Sequence, residues 1–409
     1  MLTFNSLIFE MRKLPSLSGS AGIKSLARKE EISSAKKSGI AMIILVMAIT
    51  IFGLLMLYST TSTASGESML IKQVMWIIVG IFAITFINLV GYNALLPYSK
   101  YILIITWLLL IFALFCKPVN GAYRWIPIPG GIGNIQPSEL AKIAIIMFLA
   151  HFIPRNQRNL KSSFKALLFP GIVCAITLML VLSGHDLGTT ILIASVIWIL
   201  ALIAGIKLRL LLPPLALLAF LPFFLKYADK MRWARVTSFL NPEIYQKTIG
   251  YQLWFSLLAL GSGSWTGLGF TNSRMKAQYL PEAHTDFILS IVGEELGYIA
   301  LLLLICGYIA FLCLSVYISI KAKDKEGMLL GFGCSVMLAL QSIINIGVVS
   351  GAFPTKGMPA PFVSYGGSNM IVCLLCAGFI LSISNPRKND TQEPTKSVQL
   401  KKNKKASRS

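Results

Sequence analysis

Two carboxylates and an imidazole, Glu282, His284 and Asp286, fall within the run Pro281-Glu-Ala-His-Thr-Asp-Phe287, where a long polar stretch gives way to an apolar one. Such groups take up and release protons, and an ionisable residue at the mouth of a membrane helix is by default a candidate functional group. The plainer role for Asp286 is a first-turn charge that complements the helix dipole. Its company favours chemistry. The same polar stretch carries Arg232, Arg235, Lys247, Arg274 and Lys276, and the following apolar run carries Glu294 and Glu295. Carboxylates that deep in an apolar helix are expensive and must find partners or water.

Other chemically able residues come with plainer readings beside them. Glu139 and Lys142 are spaced i, i+3 behind Pro137, which reads first as an intrahelical ion pair and only second as an acid and a cation lining a cavity. Asp186, ahead of Gly188-Thr-Thr190, is placed to cap a helix. Arg232 and Arg235 share a face if their segment is helical, and arginine prefers bidentate contact with phosphate. Ser364-Tyr-Gly-Gly-Ser368 could hold an anion on backbone N–H groups at a helix start, or simply turn the chain.

The elements that must position these residues are membrane spans. Of 409 residues 55% are hydrophobic and 13% charged, and apolar runs of bilayer-crossing length recur along the chain. The expectation is an all-α polytopic membrane protein with ten transmembrane helices. They lie near residues 39 to 58, 71 to 91, 101 to 116, 137 to 153, 164 to 183, 187 to 206, 209 to 226, 286 to 319, 327 to 350 and 368 to 384. The first run follows a long polar arm, which favours an anchor over a cleaved signal peptide. One long loop, 227 to 285, holds a short apolar piece, Tyr251 to Leu260, expected to be an interfacial or re-entrant helix. The glycines behind it (Gly261, Gly263, Gly267, Gly269) belong to no βαβ unit and read as loop flexibility. Residues 1–38 and 386–409 read as disordered basic arms around a membrane domain at 39–385.

The net charge of +21 is not a nucleic-acid signal, because its cations fall in the two arms and the loops of one side, at Lys100, Arg155, Arg158, Lys161, Lys165, Lys207, Arg209, Lys321, Lys323 and Lys325. By the positive-inside rule that side, with both termini, is cytoplasmic. All seven cysteines sit in or beside spans, so neither a disulfide framework nor a zinc site is indicated. Cys373 and Cys376 read as small packing residues.

Seven ordered motifs carry a family resemblance. They are Arg124-Trp125, Gln136-Pro-Ser-Glu139-x-x-Lys142, Asp186-Leu-Gly-Thr, Gly250-Tyr-Gln252, Pro281-Glu-Ala-His-Thr-Asp286-Phe, Gly293-Glu-Glu-Leu-Gly297, and Pro354-Thr-Lys356-Gly continuing to Ser364-Tyr-Gly-Gly-Ser368. Together they resemble the SEDS proteins (shape, elongation, division and sporulation) over roughly residues 39 to 385. Pro354-Thr-Lys356-Gly and the stretch from Gly263 to Ser273 lean toward the cell-division branch, with the elongation branch the near alternative. Gly184-His185 and Asn369 depart from the usual pattern.

The resemblance implies a peptidoglycan glycosyltransferase that polymerises lipid II at the outer face of the cytoplasmic membrane, at the division septum, with Asp286 matching the catalytic acid. It implies a class B penicillin-binding protein and other division proteins as partners. Substrate contacts are expected from Arg232, Arg235, Lys356, Lys276, Ser364 and His284, and cavity support from Arg124, Glu139, Lys142, Asp186, Glu294 and Glu295. A divalent ion, Mg2+ or Mn2+, could stabilise the leaving pyrophosphate. The rival readings are a lipid II flippase, to which the same cations would be useful, and a scaffold that only recruits a transpeptidase.

Overall fold

The computed structural model describes residues 21–61, 67–118, 121–129, 133–162, 164–209, 234, 237–355 and 357–385. Its helices are α1 (Ala21–Thr61), α2 (Glu67–Val90), α3 (Tyr92–Leu114, through a 3-10 turn at Leu96–Tyr98), α4 (Pro137–Ser162), α5 (Phe164–Ser183) and α6 (Leu187–Ile203). They continue as α7 (Tyr251–Gly263), α8 (Met275–Gln278), α9 (Ile288–Ile320), α10 (Lys325–Val349) and α11 (Gly367–Ser384). A two-residue hairpin pairs Ile126 with Ile135 ahead of α4. Eight of these helices are long and apolar enough to cross a membrane, and α6 is a shorter apolar one. The expected seventh span, 209 to 226, lies outside the described residues but for Arg209.

α4, α10 and α11 are 78%, 67% and 72% buried over their most apolar stretches, against 28% for α2, α3 and α5 and 22% for α9. The first three therefore form the centre, and the others turn their aliphatic faces outward as lipid requires. Small residues allow the close contacts. Gly80 of α2 lies against Leu374 of α11, and Gly378 of α11 against the Ile84 backbone.

Polar contacts sort the helix ends into two sets. At one end Gly39 packs on Ser384, the Tyr92 amide donates to Ser382 Oγ (3.1 Å), and Arg155 pairs with Glu326 (2.8 Å). That end gathers Lys36, Lys37, Lys100, Arg155, Lys207, Lys321, Lys323 and Lys325, so the positive-inside rule makes it cytoplasmic. The opposite end holds the predicted outer loops. Ile203 finishes at the inner end and Tyr251 begins at the outer one.

α1 begins at Ala21, inside the arm expected to be disordered. That stretch, rich in Lys, Arg, Glu, Leu and Ala, has good helix propensity and extends the span toward the N-terminus. Residues 1–20 and 386–409 lie outside the described residues.

α7 is a short helix with one buried face, Leu253, Ser256, Ala259, Leu260 and Gly263. Ser256 Oγ sits 2.7 Å from Ser290 Oγ of α9 and donates to Val349 O of α10 (2.8 Å). Beyond it the chain wedges into α9, which breaks at Gly297 (φ 76°, ψ −179°). The loop repairs the break. Leu268 and Gly269 donate to the carbonyls of Glu294 and Glu295 (2.9 and 3.0 Å), while Tyr298 and Ile299 donate to Ser264 and Trp265 (3.0 and 3.3 Å). A Cβ at Gly263 would come 1.9 Å from Gly293 O, and one at Gly267 2.1 Å from Glu295 O. These two glycines are required for close backbone approach, which corrects their reading as loop flexibility.

Candidate active site

Asp286 lies in the turn that leads into α9, two residues before its first helical position. The residue that caps the helix is Phe287, and no side chain satisfies the first amides there. Asp286 therefore makes no capping hydrogen bond to the α9 amides. Three successive backbone carbonyls of its turn are tied to other elements. His284 O accepts from the Tyr365 amide (2.9 Å), Thr285 O from Ser364 Oγ (2.6 Å), and Asp286 O from Asn345 Nδ2 (2.9 Å). With its backbone so held, the Asp286 carboxylate faces the loop before Ser364, where a Cβ on Gly357 would lie 2.8 Å from Oδ2. Lys356, next to that glycine, lies outside the described residues, as do Arg232 and Arg235.

The electrostatics around the carboxylate come from three sides. Burial, then the charge of Glu282, push the Asp286 carboxyl up to about 7; Asp186 adds to the rise and Arg124 opposes it. A group titrating there is matched to proton transfer near neutral pH. His284 is half-buried, which lowers its imidazole below the ordinary range against the pull of Glu282. Its ring lies 5.8 Å from that of Tyr365. Arg124 Nη1 stands 3.8 Å from Asp186 Oδ1, and its side chain is 28% exposed, so the guanidinium remains open to an anion.

Asp186 caps α6 as expected, accepting from the Thr189 amide (3.2 Å), and also accepts from Ser138 Oγ (2.8 Å) and Gln136 Nε2 (3.0 Å). It therefore ties the starts of α4 and α6 together beside the site. Glu139 and Lys142 form the i, i+3 pair at 2.7 Å, fully inside the bundle. Lys142 Nζ donates also to Gln341 Oε1 (3.0 Å).

Some expected contacts belong to the scaffold instead. Ser364 is fully buried and its hydroxyl is committed between Thr285 O and the Ala360 amide (2.8 Å), so it holds the loop and offers nothing to a ligand. Lys276 pairs with Glu295 at 2.7 Å, its side chain 2% exposed, and donates to Ser59 Oγ and Thr271 O. It is a buried counter-ion, not a surface cation for substrate. Glu295 further accepts from the amides of Thr271 and Ser273 (3.1 and 3.3 Å), and Glu294 from the Arg274 amide (2.9 Å) and Ser273 Oγ. The two acids find partners in the loop after α7 and pin it, rather than lining a cavity with Asp286.

Sequence reasoning passed over Asn345, Gln341 and Gly357. Asn345 Nδ2 donates also to Met358 O (2.7 Å), and Gln341 Nε2 to Pro359 O (2.9 Å) and Asn369 Oδ1 (2.7 Å). A signal existed: two amides at i, i+4 on one stripe of an otherwise apolar span seek partners outside their own helix.

The bundle defines a polytopic helical membrane protein, with the Asp286 carboxylate held at its outer end. Residues 40–389 match the cell cycle protein family that groups FtsW, RodA and SpoVE, and the chain belongs to that family. It is 35% identical to the probable peptidoglycan glycosyltransferase FtsW of Geobacter metallireducens, over 88% of this chain and 98% of the relative. It is also 35% identical to the protein so described from Aliivibrio salmonicida, over 80% of this chain and 82% of that one. Solved structures agree in fold at 23% identity. One, described as structural coordination of polymerization and crosslinking by a peptidoglycan synthase complex, aligns with a TM-score of 0.71 over 85% of this chain and 98% of that chain. The rod shape determining protein RodA of Thermus thermophilus aligns with a TM-score of 0.63 over 85% and 97%.

Proposed function

We propose that the chain is a peptidoglycan glycosyltransferase that polymerises lipid II at the outer face of the cytoplasmic membrane, in septal wall synthesis. The observation that carries the reading is the Asp286 carboxylate, held by three backbone ties at the outer end of the bundle and raised to about 7. The acceptor 4-hydroxyl attacks the anomeric carbon of the donor sugar, and Asp286 takes the hydroxyl proton as general base. The anomeric carbon's bond to the lipid pyrophosphate breaks with inversion, and the pyrophosphate departs on its lipid. A phosphate leaving group needs positive charge rather than a second carboxylic acid. Arg124, expected only as cavity support, is a described cation whose charge reaches the base, and Lys356, Arg232 and Arg235 remain the further candidates.

Among the described residues no three His, Cys, Asp or Glu side chains gather as a metal cage. Mg2+ is commonly held by one or two carboxylates together with substrate phosphates. Glu282, exposed on the base's own turn, is the protein carboxylate offered to it. The ion would supply charge to the leaving group, and a chelator titration of the rate tests the need for it.

The partner in this reading is a class B penicillin-binding protein, with other division proteins around it. The test is glycan-strand formation from labelled lipid II by the purified protein with its cognate penicillin-binding protein. Wild type forms polymer; Asp286→Ala and Asp286→Asn insert normally and form none. Polymer from either variant removes Asp286 from the mechanism, and lipid II crossing liposomes without polymer from wild type replaces the transferase by a flippase.

A further inference from the structure

α10 presents two side-chain amides toward the site, one helical turn apart, and each bridges elements that the chain itself does not join. Asn345 is 1% exposed, and its Nδ2 donates to Asp286 O (2.9 Å) and to Met358 O (2.7 Å). The first carbonyl belongs to the residue read as the base. The second follows Gly357, whose backbone lies against the base's carboxylate. One turn further in, Gln341 holds Pro359 O and is itself held by Lys142, whose charge Glu139 balances. Met358 and Pro359 are thereby stitched to one stripe of α10 while Asp286 hangs from the same stripe.

We propose that Asn345 is a positioning residue for the reaction: its amide clamps the Asp286 backbone to the Met358 carbonyl and so sets the base against the loop at Gly357. The inference rests on the reading of Asp286 as base. An amide buried in an apolar helix needs partners in any case, but both of these partners lie at the site. A displacement of reacting groups by about 1 Å costs on the order of 100-fold in rate. Asn345 is 1% exposed and so closed to a lipid substrate, so its loss falls on turnover and leaves affinity alone.

The experiment uses the full chain with its cognate penicillin-binding protein and compares wild type, Asn345→Ala, Asn345→Ser, Asp286→Ala and, as control, Ser342→Ala. Ser342 is buried beside Asn345 on α10 but bonds only Leu338 O of its own helix (3.0 Å). Asn345→Ser keeps a hydroxyl that can bond its own helix in the same way, which guards against simple misfolding. Expected for both Asn345 variants is kcat lower by about 10- to 100-fold, with the Michaelis constant for lipid II within about twofold of wild type. Ser342→Ala keeps wild-type kinetics.

A second readout needs no polymer: labelling of Asp286 by a hydrophobic carbodiimide, which reacts with the protonated carboxyl, followed by peptide mass against pH. The groups that face the carboxylate are Glu282 on its own turn, Asp186 at the start of α6 and Arg124 after α3. With the clamp gone the carboxyl is less firmly enclosed, and the labelling midpoint drops below that of wild type in both variants. Unchanged kcat and midpoint overturn the proposal. So does a loss of activity matched by loss of folded protein with the midpoint unmoved. If wild type makes no polymer, the transferase reading fails while the labelling still decides the clamp.

Discussion

Asp286 holds its proton more tightly in the folded protein than in the unfolded chain, and this has opposite consequences for stability and for turnover. Its carboxyl is raised to about 7, chiefly by burial, against an ordinary aspartate near 3.9. Between those two values the folded state retains a proton that the unfolded state has released, so stability falls as pH rises through the window and is level above about 7. Asp286→Asn removes the ionisation. Its thermal midpoint at pH 8 should exceed that of wild type by about 2 °C, and the difference should vanish near pH 4; a variant no more stable at pH 8 would mean the carboxylate is well solvated. In the proposed reaction turnover runs the other way, because Asp286 acting as general base would have to be ionised. The rate of polymerisation should climb with pH up to about 7 and then level. Glu282 raises that midpoint by its charge, so Glu282→Gln should shift the acid limb of the rate profile to lower pH. A limb that stays in place would show that water screens Glu282 from the base.

The segment that follows Asp286 into the membrane is the short first part of α9, closed at Gly297 and pinned by the loop after α7. Gly297 has φ of 76°, and a Cβ there would meet Trp265 O at 2.3 Å. Gly297→Ala combines left-handed strain with a backbone clash and should cost about 2 kcal/mol or more, seen as a lower thermal midpoint of the purified protein. Lys276 and Glu295 brace the same loop from the other side. Removing one partner of a buried pair costs about 3–5 kcal/mol, so Lys276→Met should lose folded protein and leave the Michaelis constant of what remains unchanged. A raised Michaelis constant with intact stability would return Lys276 to the substrate. These elements show what could be read from sequence and what could not. The spans that fall among the described residues, the capping Asp186 and the Glu139–Lys142 pair follow local rules of hydropathy, capping and i, i+3 spacing, and these are present. The partners of Glu294, Glu295, Lys276 and Ser364 depend on contacts between residues far apart in the chain, such as Ser59 with Glu295, and local spacing carries no trace of them. For the same reason the i, i+4 spacing of Gln341 and Asn345 signals that their amides seek partners but not that those of Asn345 are Asp286 and Met358.

At the scale of the whole molecule, charge and chemistry occupy opposite ends of one bundle. Asp286, Glu282, Arg124 and Asp186 share the end away from Lys36, Lys37, Arg155, Lys323 and Lys325. The net charge of +21 is carried largely by cations of the arms and inner loops, which fixes orientation during insertion because Lys and Arg near span ends stay cytoplasmic. In the proposed reaction the lipid-linked substrate would then meet Asp286 from outside. Single cysteines with a membrane-impermeant thiol reagent test this placement. The native Cys116 follows the outer end of α3 and is partly accessible, so it is first replaced by serine. Glu282→Cys, on the exposed rim, should label in intact cells, and Lys323→Cys, in the turn between α9 and α10, only after the membrane is opened. Labelling of Lys323→Cys from outside would invert the protein, place Asp286 in the cytoplasm, and leave an external polymerase without its base.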